Sequence, residues 1–163
     1  MKIIDSVRKA LPSAKPLQQF NLLNAIGFEY RYSFPDSTIM YCNRAYELGQ
    51  KIQIPKGLSR PLSFIGLAKA NQGDYKASLE YHNQSISVAQ EQNDTLQIAH
   101  GYNNVGRLFF DKGDLVRAYN YFVNARDLFE IINDKPGLAY VYRSLADVFK
   151  ALVRVPMDWD WPL

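Results

Sequence analysis

A repeat of forty residues constrains this chain more than any other feature, and its cleanest copy reads YNNVGRLFFDKGDLVRAYNYFVNARD from Tyr102 to Asp127. Tyr102, Val105 and Phe109 recur at the spacing of one helical face, and Tyr119, Phe122 and Phe129 put bulk on a second helix. Gly113-Asp114 supplies the turn between them, because Gly takes positive φ freely and Asp caps the helix that follows. Gly106 stands in mid-helix, where Gly costs roughly 1 kcal/mol relative to Ala. Its use is therefore steric: it lets a partner helix come close, and Ala118 and Ala125 do the same from the other side.

The template recurs along the chain without a gap. Gly113-Asp114 falls on Gly73-Asp74, and Gly106 falls on Gly66, Ile26 and Ala146. The first apolar position reads Leu22, Leu62, Tyr102, Tyr142, the next Ala25, Ile65, Val105, Leu145, and the small residue of the second helix Ala45, Ser85, Ala125. Asn93-Asp94-Thr95 and Asn133-Asp134-Lys135 bring turn and cap chemistry to equivalent places one repeat apart. No strand pattern appears. The pattern predicts an all-α fold, a solenoid of antiparallel helix pairs with about three and a half repeats.

As one domain over 1–152, it divides into a lid helix at 2–11, repeats near 17–56, 57–96 and 97–136, and a half repeat at 137–152. Helices are expected over Leu17 to Tyr32, Pro35 to Ile52, Ser59 to Gln72, Tyr75 to Gln92, Leu96 to Lys112, Leu115 to Ile132 and Pro136 to Leu152. An irregular tail follows at 153–163. With 163 residues, 47% hydrophobic and 13% aromatic, the chain has the material for a continuous core between stacked helices.

Composition excludes several functions. A net charge of +3 without runs of like charge gives no footprint for nucleic acid. The single cysteine, Cys42, cannot form an internal disulfide and reads as a core residue. No apolar run is long enough to span a membrane and no signal peptide follows Met1, so the chain as given reads as soluble and cytoplasmic. His82 and His100, eighteen residues apart on different helices, offer no metal-ligand spacing. With the glycines explained by the repeat and no nucleophile elbow present, neither a catalytic residue nor a cofactor is expected.

Tyr102, Val105, Gly106, Phe109, Gly113, Ala118, Phe122 and Ala125 resemble the signature of the tetratricopeptide repeat family, in its longer, forty-residue variety. The second copy keeps Leu62, Ile65, Gly66, Gly73, Asp74 and Tyr75 but has Ser78 and Ser85 at later small positions, and the first has Thr38 and Cys42 in its second helix. The resemblance implies a right-handed superhelical solenoid and a binding module whose first helices line a concave groove. Carried over by register, the groove residues are Asn24, Tyr30, Arg60, Phe64, His100, Asn103, Asn104, Arg107, Phe110, Tyr140 and Arg143. Amides that donate and accept, arginines that grip carboxylates and aromatic anchors suit a protein or extended peptide, and its acidity is left open. A clamp for chaperone tails is disfavoured: only Asn104 fits it, and Ser63, Leu67, Tyr140 and Ser144 stand where it needs Lys, Asn, Lys and Arg.

Leu22-Leu23-Asn24, Phe28-Glu29-Tyr30-Arg31 and Tyr41-Cys42-Asn43-Arg44-Ala45 are also similar to the amino-terminal repeat region of Bacteroidetes sensor histidine kinases and related signalling regulators. That likeness implies a sensing or scaffolding segment, and a periplasmic location if the chain is part of a membrane sensor. Two alternatives remain open. One is a self-association module in which the unpaired last helix and Trp159 and Trp161 make a homodimer; the other is a regulator whose groove takes a signalling peptide.

Overall fold

Four aspartates spaced twenty residues apart start the helices. Asp74, Asp94, Asp114 and Asp134 accept hydrogen bonds from the backbone amides of Ala77 (3.1 Å), Gln97 (3.3 Å), Arg117 (3.0 Å) and Gly137 (2.8 Å), which the first helical turn leaves without partners. The residue before each aspartate, Gly73, Asn93, Gly113 or Asn133, takes a positive φ between 50° and 79°, the conformation that turns the chain after the preceding helix. The computed structural model describes residues 5, 6 and 9–154. After a short 3-10 turn at Leu11–Ser13 these carry α1 (Pro16–Tyr30), α2 (Pro35–Lys51), α3 (Ser59–Asn71), α4 (Tyr75–Glu91), α5 (Thr95–Asp111), α6 (Leu115–Ile131) and α7 (Lys135–Arg154), with no strand. The fold is the expected all-α stack of helix pairs. Of the lid helix, residues 5, 6, 9 and 10 are helical and Leu11 packs on the first core cluster; its other positions, like Trp159 and Trp161, lie outside the described residues.

Each helix packs on the next, and α1, α3, α5 and α7 also touch one another in turn, whereas α2, α4 and α6 do not. The stack therefore closes on one side and fans open on the other. The first helices of the pairs form the inner, concave wall.

Glycine notches set the spacing within each pair. A Cβ on Gly106 would lie 2.7 Å from Cε1 of Phe122, and one on Gly66 would lie 2.7 Å from Cε1 of His82, so each ring rests directly on a helix backbone. Gly27 plays the same part for the thiol of Cys42. This corrects the register read from the sequence, which put Ile26 at that position. The connection from α1 to α2 is one residue shorter: Thr38 Oγ1 donates to the Gly27 carbonyl eleven residues earlier (3.1 Å), while Ser78 Oγ donates to the Gly66 carbonyl twelve residues earlier (2.8 Å). Cys42, His82 and Phe122 thus fill one structural position. Burial pushes the Cys42 thiol up to about 12, so it stays protonated.

Gly106→Ala tests the notch. At an open mid-helix site the change would stabilise by about 1 kcal/mol. Here overpacking against Phe122 of roughly 1–3 kcal/mol opposes it, and the expected result is a net loss in urea unfolding. A gain would show that the ring yields and the notch is slack.

Side-chain amides and carboxylates join the loops between repeats. Gln92 accepts from the Leu58 amide (3.1 Å) and donates to the Ile54 carbonyl (2.7 Å), while Asp94 accepts from the Gly57 amide (3.2 Å). These bonds satisfy the irregular segment between α2 and α3, which has no helix of its own to do so.

Candidate binding groove

The concave wall encloses two cavities of about 550 and 670 Å³ that share Tyr32, Leu67, Asn104 and Tyr140, so they are two halves of one groove. Its position on the helices follows from the notch. With about 100° of rotation per residue, the residue two before a notch glycine lies about 160° from it, and the residue three before lies only about 60° away. Asn104 is two before Gly106 and opens to the groove, where its Nδ2 donates to Ser63 Oγ (2.9 Å). Asn103 is three before Gly106 and is only 1% exposed.

Of the residues the resemblance puts in the groove, Arg60, Phe64, His100, Asn104, Arg107, Tyr140 and Arg143 line these two cavities. Asn24, Asn103, Tyr30 and Phe110 do not. Asn24 and Asn103 are the same buried position in two repeats; Asn24 Nδ2 donates to the Phe20 carbonyl (3.0 Å), and the Oδ1 of both lacks a partner. Tyr30, three after Gly27, sits about 60° from its notch and packs edge-on against Phe34 (5.2 Å between centroids) at the first core cluster. Phe110, four after Gly106, returns to within about 40° of it and packs on the cluster around Phe122. The groove also includes Phe28, Arg31, Tyr32, Leu96, Asp111 and Asp147. For Phe28, one beyond Gly27, the signal was present in the sequence but hidden by the register error.

The two halves differ chemically. In one, α1, α3 and α5 contribute Phe28 and Phe64, whose rings lie 5.4 Å apart, beside Leu67 and Leu96. The Arg31 guanidinium rests 3.5 Å over the Phe28 ring and 4.5 Å from that of Tyr32, and also bonds to the Phe28 carbonyl. In the other, Arg107 lies 3.3 Å from Asp111 and 3.9 Å from Asp147. Arg60 and Arg143 are exposed and form no ion pair among the described residues.

Both histidines stay neutral near pH 7. Burial lowers His82 to about 4, and its Nδ1 has no partner. Burial also lowers His100; the Asp134 carboxylate pulls the other way, Arg60 lowers it further and Asp94 raises it. The groove's positive charge is therefore that of its arginines. Among the described residues no cluster of three His, Cys, Asp or Glu could hold a metal ion, and no helix is long and apolar enough to cross a membrane.

No family model matches the chain, and no curated protein matches it. Its fold is similar to that of a Rap protein solved in complex with competence and sporulation factor (TM-score 0.75, 18% identity, 92% of this chain and 45% of that one). It is also similar to BtubC from P. vanneervenii (0.65, 16%, 91% and 67%) and to the apo form of RapI (0.65, 18%, 90% and 56%). These are helical repeat solenoids, the Rap proteins of the tetratricopeptide-like kind. The chain spans about half the length of the two Rap proteins.

Proposed function

We propose that the concave groove holds an extended peptide or a peptide-like segment of a protein, and that the chain is a non-catalytic binding module serving as the sensing or scaffolding part of a bacterial signalling protein. One observation carries the reading: a continuous groove in which exposed aromatic residues stand beside arginines, Arg60 and Arg143, that form no ion pair among the described residues. Exposed rings are anchors for apolar side chains, and exposed guanidinium groups with no internal partner lose no bond when a ligand carboxylate arrives. The likeness to a Rap protein that was solved with a bound factor supports the use of this scaffold for binding. A narrower form of the reading is a regulator whose groove takes a signalling peptide and shifts the curvature of the stack.

The test is panning of a displayed random peptide library on the purified chain, followed by affinity measurement on synthetic peptides. Micromolar binders are expected, and Arg60→Glu combined with Arg143→Glu should weaken them about tenfold or more with an unchanged melting temperature, because both side chains are exposed. Absence of binders, or affinities indifferent to both changes, would remove the groove from consideration.

The outer face of α7 favours a second reading, self-association. Tyr142 and Phe149 correspond to Tyr102 and Phe109, which Tyr121 of α6 covers in the preceding repeat, yet they are 50% and 54% exposed. If this face pairs two copies, Phe149→Glu turns a dimer into a monomer in sedimentation; a monomeric wild type removes that reading.

A further inference from the structure

We infer that the aromatic half of the groove is a subsite for one bulky apolar side chain with a carboxylate-bearing residue beside it, so that the module selects acidic peptide segments around a Phe- or Leu-type anchor. This rests on the peptide reading above and adds the ligand's composition and the place where it is read.

Three observations lead there. The half-groove is a cavity of about 670 Å³, the size of sites that enclose a small ligand or a few residues of a larger one, and its wall is apolar where Phe28, Phe64, Leu67 and Leu96 meet. Phe28 and Tyr32 remain 43% and 60% exposed, so these side chains are not consumed by the core. The third observation is charge. Arg31 and Arg60 line this half without any carboxylate among its lining residues, whereas the other half balances Arg107 and Arg143 with Asp111 and Asp147.

The excess positive charge of the groove is thus confined to the wall that also holds the apolar anchor site. Arg31 is held in place by stacking on Phe28 and Tyr32. A guanidinium held flat on a ring keeps its outer edge for a carboxylate and loses little side-chain freedom on binding. A lysine or arginine beside the anchor would meet Arg31 and Arg60 at close range, and repulsion gives selectivity as effectively as attraction does.

The experiment uses acetylated and amidated octapeptide pools with one fixed central Phe or Leu and randomised flanks, which removes terminal charges as a source of the signal. The pools are captured on the full chain and on its Arg60→Glu, Arg31→Gln and Lys51→Glu forms. On the wild type, Asp and Glu should be enriched about fivefold or more within two positions of the anchor, and Lys and Arg depleted. Arg60→Glu and Arg31→Gln should abolish that preference while the Phe or Leu requirement persists, and Lys51→Glu, at an exposed position outside both cavities, should leave the preference in place. The preference should also shrink as salt is raised from 50 to 500 mM, as expected for exposed charge pairs (Debye length about 10 Å at 0.1 M). Capture of peptides without acidic enrichment, or an acidic preference that survives Arg60→Glu and Arg31→Gln, overturns this inference and leaves the peptide-binding reading standing. Capture of no peptide at all overturns both.

Discussion

Phe122→Ala is expected to remove about 4 kcal/mol of stability and to uncouple the carboxyl-terminal helices from the rest of the stack. The phenyl ring is fully buried, rests on the bare backbone at Gly106, and belongs to the cluster that joins Ala99 of α5, Phe129 of α6 and Val141, Leu145 and Val148 of α7. Truncating such a ring costs about 3–5 kcal/mol, and this site cannot relax easily. Closing the void would need α5 and α6 to move together, but Gly106 already places their backbones in close approach. The loss is a large fraction of the roughly 5–15 kcal/mol that holds an ordinary domain together.

In a solenoid each repeat contacts only its neighbours, so the damage should have a direction. Hydrogen exchange is expected to show α6 and α7 losing protection while α1 and α2, packed around Phe20, Leu23 and Tyr41, retain theirs. Uniform loss from α1 to α7 would show that the stack unfolds as one unit. A change below about 1 kcal/mol in urea unfolding would refute the notch as the element that holds each pair together.

The same notch explains what could be read without coordinates. Forty-residue spacing of Gly66 and Gly106, with Gly73-Asp74 and Gly113-Asp114 as turns, sufficed for the helices and their antiparallel pairing, because those rules act within one repeat. The groove depended on rotation about the helix axis, where a slip of one residue is about 100°. Taking Ile26 for the notch residue concealed Phe28, and taking Asn103 with Asn104 as a pair overlooked that their side chains leave the helix in directions about 100° apart. Nor does the repeat show that Arg107 is engaged by Asp111 and Asp147, since Asp147 arrives from the next repeat. The bonds of Gln92 and Asp94 to the loop at 54–58 were invisible for the same reason.

His82 should make the fold sensitive to acid well above the range in which carboxylates titrate. The ring fills the position that Phe122 and Cys42 fill in their repeats, and burial lowers its pKa to about 4 from an ordinary value of 6.5. Above pH 6.5 the imidazole is neutral in both the folded and the unfolded chain, so its contribution is fully present. Between 6.5 and 4 the unfolded chain takes up a proton that the folded chain refuses, and stability falls as the pH falls. The difference of about 2.5 pKa units corresponds to roughly 3 kcal/mol, lost by pH 4. Urea unfolding at pH 7.5 and 4.5 measures most of this window.

His82→Phe separates the imidazole from other acid effects. The phenyl has a precedent on the same backbone notch in Phe122 over Gly106, and it removes a buried Nδ1 that has no partner, a defect worth about 1–3 kcal/mol. The variant should therefore gain stability at pH 7.5 and lose much less of it at pH 4.5, with a residual decline from His100, whose pKa burial also lowers. A variant that is less stable at pH 7.5 would mean that the notch at Gly66 is cut for the smaller ring; one that keeps the full acid loss would mean that the proton goes elsewhere. Because His82 also lines the arginine-aspartate half of the groove, the pH dependence of folding must be subtracted before any acid effect on binding is assigned to the ligand's carboxylates.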